Sequence, residues 1–146
     1  MALHFSDQEF SNRKNNTIES MKKFNLDAIL IFRQESMYWL TGYDTFGYVF
    51  FQTLVMDQKG NMILLTRAPD LRQAQNTSNI KDIRIWVDKN NSDPTHELKN
   101  ILNELNLKGK NIGVEYEAYG MTGRSAMKLN ESLKNFCTLG DYSELI

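Results

Sequence analysis

The stretch Asp27-Ala-Ile-Leu-Ile-Phe32 constrains the fold more than any other. Five apolar residues follow one aspartate without a break. A strand with one wet face alternates apolar and polar side chains, so an uninterrupted run must be covered on both faces. That requirement is met in the middle of a sheet with helices on each side.

The surrounding sequence supplies such helices. Ser6-Asp7-Gln8-Glu9 reads as a capping box opening a helix from Asp7 to Phe24, with Phe10, Thr17, Ile18, Met21 and Phe24 near helical spacing. Gln34 to Thr41 reads as a short helix or turn ending near Gly42. Asp93 is an N-cap with Pro94 at N1, and Leu98, Ile101, Leu102 and Leu105 repeat at i, i+3, i+4, i+7. Thr122 caps a last helix whose Ala126, Leu129, Leu133 and Phe136 face inward.

Strands alternate with these helices. Tyr48 to Met56 is rich in β-formers, and Met62 to Thr66 returns after the turn cluster Asp57 to Asn61, which makes a hairpin. Ala68 to Gln75 reads as a short helix, Ile83 to Val87 as a strand, and Asn111 to Tyr116 as another. The order α β (α) β β α β α β α predicts one α/β domain of three layers, with a mixed β-sheet flanked by helices. The 146 residues suit a single core, and no internal linker or repeat divides them.

The chemistry-bearing residues are sparse. His4 and His96 are the only histidines, and neither belongs to a metal-binding pattern. Cys137 is the only cysteine and has no neighbouring base, which suits a small core residue better than a nucleophile. No nucleophile elbow and no glycine-rich phosphate loop occurs. Glu115 and Glu117 could form a carboxylate pair, although two solvated glutamates are the commoner arrangement. Arg67 could clamp a ligand carboxylate, against the plainer reading that it pairs with Asp70. No catalytic residue and no metal ligand is expected in this chain.

Other classes are disfavoured. A formal net charge of −1 with scattered basic residues points to neither nucleic acid nor an acidic membrane surface as partner. No window approaches a membrane span, and the start of the chain lacks a signal-peptide pattern. A cytoplasmic protein is expected.

Several segments together resemble a known family. The residues are Asp27-Ala28, Tyr38, Leu40-Thr41-Gly42-Tyr43, the hairpin through Met62 to Arg67, then "IRIWVD", "NIGVEY" and "DYSELI". In order and spacing they resemble the N-terminal domain of the creatinase / Xaa-Pro dipeptidase (prolidase, "pita-bread") superfamily. The resemblance covers essentially the whole chain.

The resemblance implies a ribonuclease-H-like domain at 1–146, with the catalytic C-terminal pita-bread domain lying outside this chain. It implies a homodimer in which this domain caps the partner subunit's active site. The substrate-capping loop would carry Tyr43, Asp44, Phe46 and Tyr48, and the substrate would be a dipeptide or other small molecule. A divalent metal pair (Mn, Co or Zn) would belong to the catalytic half. Creatinases carry an arginine in the aromatic strand, where this chain has Phe50 and no basic residue between Gly42 and Gln58. The resemblance therefore favours a dipeptidase-like or ectoine-hydrolase-like parent over creatinase proper. A binding or scaffold domain without an enzyme half is the alternative.

Overall fold

Ala28–Ile31 forms β1, with every residue fully buried, at the interior of a six-stranded sheet. The computed structural model describes residues 3–146. The remaining strands are β2 (Thr53–Asp57), β3 (Met62–Arg67), β4 (Asp82–Trp86), β5 (Asn111–Val114) and β6 (Thr138–Asp141). Their order is β4-β3-β2-β1-β5-β6. β2 runs antiparallel to both β1 and β3, whereas the other pairs, β3–β4, β1–β5 and β5–β6, are parallel. Five strands therefore point one way, and their C-terminal ends share one edge with the N-terminal end of β2.

Five helices cover the two faces: α1 (Asp7–Lys23), α2 (Gln34–Thr41), α3 (Leu71–Thr77), α4 (Pro94–Glu104) and α5 (Gly123–Leu133). One core joins Leu30, Val55, Leu65 and Val114 to Leu98, Leu102, Leu129 and Leu133 of α4 and α5. The other joins Ile29, Ile31, Leu54 and Leu64 to Met21, Met37, Leu40 and Ala74 of α1, α2 and α3. The period-2 geometry of each strand sends alternate residues to opposite cores, so the unbroken apolar run of β1 serves both. This is the expected α/β three-layer mixed sheet.

Capping follows the sequence closely. Ser6 Oγ accepts from Glu9 N at 3.2 Å, Asp93 accepts from Thr95 N at 3.0 Å, and Thr122 accepts from Ser125 N at 3.1 Å. Each satisfies a backbone donor that a helix start leaves orphaned.

Two expectations are corrected, and one strand has no counterpart in the expected order. The strand expected over Tyr48 to Met56 begins only at Thr53; Gly47–Val49 is a single 3-10 turn closed by Phe50 N donating to Gly47 O at 3.0 Å. Val49 and Phe50 are 59% and 41% exposed, not core. The short helix expected at Ala68 is a 3-10 turn, Ala68–Asp70, leading into α3. Finally, β6 was not anticipated; its four residues carry one partly buried leucine and a glycine, too little for a pattern.

Candidate functional site

The shared sheet edge gathers the polar and aromatic features. In open α/β sheets ligands settle beyond the carboxyl ends of the strands. Here that edge carries the loop 42–52, Arg67, Asp88 and the segment Glu115–Gly120.

The loop starts where Gly42, at φ +79°, closes α2 by donating its N–H to Tyr38 O at 2.8 Å. Only glycine takes this left-handed position cheaply. Tyr43 then turns inward and is fully buried. Its hydroxyl donates to Gln52 Oε1 at 3.2 Å, while Gln34 Nε2 donates to the Tyr43 carbonyl at 2.7 Å. Gln52 Nε2 donates to Gln34 Oε1 at 3.3 Å and Thr66 Oγ1 donates to Gln52 Oε1 at 3.2 Å. Burial pushes the Tyr43 hydroxyl above its ordinary pKa. Tyr43 therefore anchors the loop from below.

Asp44 is held by its backbone, not its side chain. Its N–H donates to Thr77 Oγ1 at 3.1 Å and its carbonyl accepts from Gln73 Nε2 at 2.9 Å, both on α3. The carboxylate stays exposed. Phe46 is 89% exposed, and Tyr48 is half-buried. Gly47 lies against Asp70; a Cβ there would meet the Asp70 carboxylate at 2.8 Å. Of the four loop residues singled out in the sequence, the structure thus exposes Asp44 and Phe46, half-exposes Tyr48, and buries Tyr43.

Arg67 is engaged within the chain. Its guanidinium carbon lies 3.4 Å from the Phe50 ring centre, Nε donates to Asp70 at 3.2 Å, and Asp88 lies 3.9 Å away. The carboxylate beside it is the chain's own Asp70, the plainer of the two sequence readings.

Glu115 overturns the expectation of a solvated glutamate. It is fully buried at the end of β5. Its carboxylate accepts from Phe32 N at 3.0 Å, Arg33 N at 2.9 Å and Ser36 Oγ at 2.6 Å. It thereby supplies the acceptor that the start of α2 lacks, since Arg33 at the N-cap offers no side-chain bond. Burial pushes its pKa above the ordinary carboxylate value, partly offset by the three donors. The missing cap on α2 was the sequence signal that an acceptor must come from elsewhere. Glu117, its supposed partner, is exposed.

Among the described residues no three His, Cys, Asp or Glu side chains are grouped to hold a metal ion. The divalent pair implied by the family resemblance does not fit these residues. Among the same residues no helix is long and apolar enough to cross a membrane.

Fold and site together define a mixed-sheet α/β domain whose loops converge on one sheet edge. The chain belongs to the creatinase/prolidase N-terminal domain family, whose model matches residues 13–146. It is 28% identical over 140 residues to the uncharacterized hydrolase/peptidase y4tM of Sinorhizobium fredii, covering 91% of this chain and 36% of that protein. It is 26% identical over 122 residues to the FACT complex subunit SPT16 of Candida glabrata, covering 77% of this chain and 11% of that protein. The chain thus spans about a third and about a tenth of these curated relatives. Its fold matches that of a prolidase from Thermococcus sibiricus with TM-score 0.77 at 15% identity, over 97% of this chain and 36% of that one.

Proposed function

We propose that this chain is the non-catalytic, substrate-capping and dimerisation domain of a C–N bond hydrolase, most akin to an Xaa-Pro dipeptidase. The observation that carries the reading is the loop at Asp44 to Tyr48. Its backbone is fixed to α3 and its Tyr43 anchor is buried, yet Asp44 and Phe46 are exposed at the surface of the domain. A rigid loop offering exposed side chains suits a role on a surface outside its own core. In this reading the chain works in the cytoplasm as part of a homodimer. A C-terminal pita-bread half supplies the catalytic groups and, in the dipeptidase branch, the divalent metal pair. A small-amide hydrolase such as an ectoine hydrolase is the neighbouring variant of the same reading.

The test uses the full-length polypeptide with Ala-Pro as substrate and added Mn²⁺. Asp44→Ala should lower kcat/KM by about tenfold with unchanged thermal unfolding. Unchanged kinetics would remove the capping role. Hydrolysis by the 146-residue chain alone would remove the non-catalytic one.

The match to a FACT complex subunit favours a second reading, a binding or scaffold domain without an enzyme half. A stop codon shortly after Ile146 in the gene would support it and overturn the first.

A further inference from the structure

A cleft of about 350 Å³ opens between α2, the loop and the Tyr119-Gly120 turn. This lies within the usual size range of small-molecule pockets, roughly 300–1,000 Å³. Four aromatic residues line it: Tyr38, Tyr48 and Tyr119, and Phe32, whose ring is buried against Phe51. Two carboxylates join them, Glu35 and Asp44, and no basic side chain does. Among the described residues neither carboxylate has a salt-bridge partner, although six other carboxylates of the chain do. Arg33 lines the adjoining cleft, which Glu35 also borders, and donates to Ser143 O at 3.1 Å.

The walls are built, not incidental. Tyr38 is held by an edge-to-face contact with Phe5, 5.9 Å between centroids, and by a hydrogen bond to His4 Nδ1. The Arg13 guanidinium lies 4.0 Å from the Phe5 ring centre. The Asp44 backbone is pinned to α3. Gly120 approaches the Tyr48 carbonyl so closely that a Cβ would come within 1.9 Å of the oxygen. Two chain segments are therefore pressed together to form one wall.

We propose that this aromatic, doubly acidic cleft binds a small organic ammonium cation. Aromatic faces attract ammonium groups through their quadrupole, and uncompensated carboxylates add charge complementarity. A divalent metal would find only these two carboxylates, since no metal-holding group of three exists among the described residues, whereas an organic cation also gains the aromatic faces. The proposal shares Asp44 and Tyr48 with the capping reading. Its test reads binding, not hydrolysis, so either can fail without the other.

The experiment is a titration of the ¹⁵N-labelled 146-residue chain with choline, against its neutral isostere 3,3-dimethylbutan-1-ol. Choline should give saturable amide shifts around Gln34–Tyr38, Asp44–Tyr48 and Tyr119, with binding about tenfold tighter than the alcohol's. Tyr119→Leu and Asp44→Asn should each weaken choline binding about fivefold or more, and high salt should weaken it as well. Both side chains are exposed, so the fold is retained, and an unchanged amide spectrum elsewhere verifies it. Ala-Pro and its N-acetyl form separate the two sources of such a cation. Competition by Ala-Pro alone assigns the amino end of a peptide; competition by neither assigns a free cation, and both sustain the proposal. No saturable choline shifts, equal binding of the alcohol, or variants that bind like the parent would each overturn it.

Discussion

The Arg67 guanidinium lies over the Phe50 ring at 3.4 Å while its Nε donates to Asp70 at 3.2 Å. This ties the C-terminal end of β3 to the loop, because Asp70 also packs against Gly47. Arg67→Ala should destabilise the chain by about 1–2 kcal/mol, combining the lost cation–π contact with an unpartnered Asp70. Arg67→Lys should restore less than half, since the ammonium lacks the planar surface that stacks. Thermal unfolding measures the loss, and limited proteolysis within residues 44–50 measures the loop. A protease pattern identical to the parent's would refute the anchoring role.

A second constraint sits at Gly120. An added Cβ would meet the Tyr48 carbonyl at 1.9 Å, and backbone atoms cannot swing aside as a flexible side chain can. Gly120→Ala should destabilise by more than about 2 kcal/mol. Gly123, the first residue of α5, has open space around it. Gly123→Ala should stabilise by about 0.5 kcal/mol by restricting the unfolded chain. Urea unfolding of the two variants gives the contrast, and a Gly120→Ala protein as stable as the parent would contradict the close approach.

The interior of the fold was legible because its signals are local. The β1 run, the three N-caps and the α4 repeat each depend on residues near in sequence. The site was legible only in outline. Tyr48 to Phe51 has the composition of a strand, but Gly47 at Asp70 and Phe50 under Arg67 hold it as a turn, and those partners are about twenty residues away. Glu115 reads as solvated because its three donors lie about eighty residues earlier. The cleft is formed by three segments that meet only in the folded chain.

The turn at Val49 gives a direct check of that difference. Val49 is 59% exposed, so Val49→Asp should change stability by no more than about 0.5 kcal/mol. Val55, in β2, is fully buried, and Val55→Asp places an unpaired charge in the core. Circular dichroism on heating should show a normal transition for the first and no cooperative transition for the second. Loss of folding in Val49→Asp would restore the buried strand.

Glu115 makes stability depend on pH. Burial raises its carboxyl above the ordinary value of 4.5, so the native state holds the proton more tightly than the unfolded state. Its contribution is fully present below pH 4.5 and is lost as pH rises through the higher native value. Glu115→Gln removes the titration. The stability of the parent relative to this variant should therefore fall between pH 4 and pH 7, whatever the offset caused by the amide. A difference that rises over this range would show that the three donors outweigh burial.

Cys137, half-buried between α5 and β6, follows the same sign at alkaline pH. Burial pushes its thiol up to about 11 from 9.0, with Lys99 pulling weakly the other way. The thiolate is the reactive form, so labelling by 5,5′-dithiobis(2-nitrobenzoate) at pH 8 should be at least about tenfold slower than for the urea-unfolded chain. Stability linked to this group is fully present below pH 9.0 and is lost as pH rises through about 11. Relative to Cys137→Ser, the parent should lose stability across that window. Labelling at the unfolded rate in native buffer would mean that the thiol is reached by solvent, and that the contact between α5 and β6 is looser than the packing of Cys137 against the core requires.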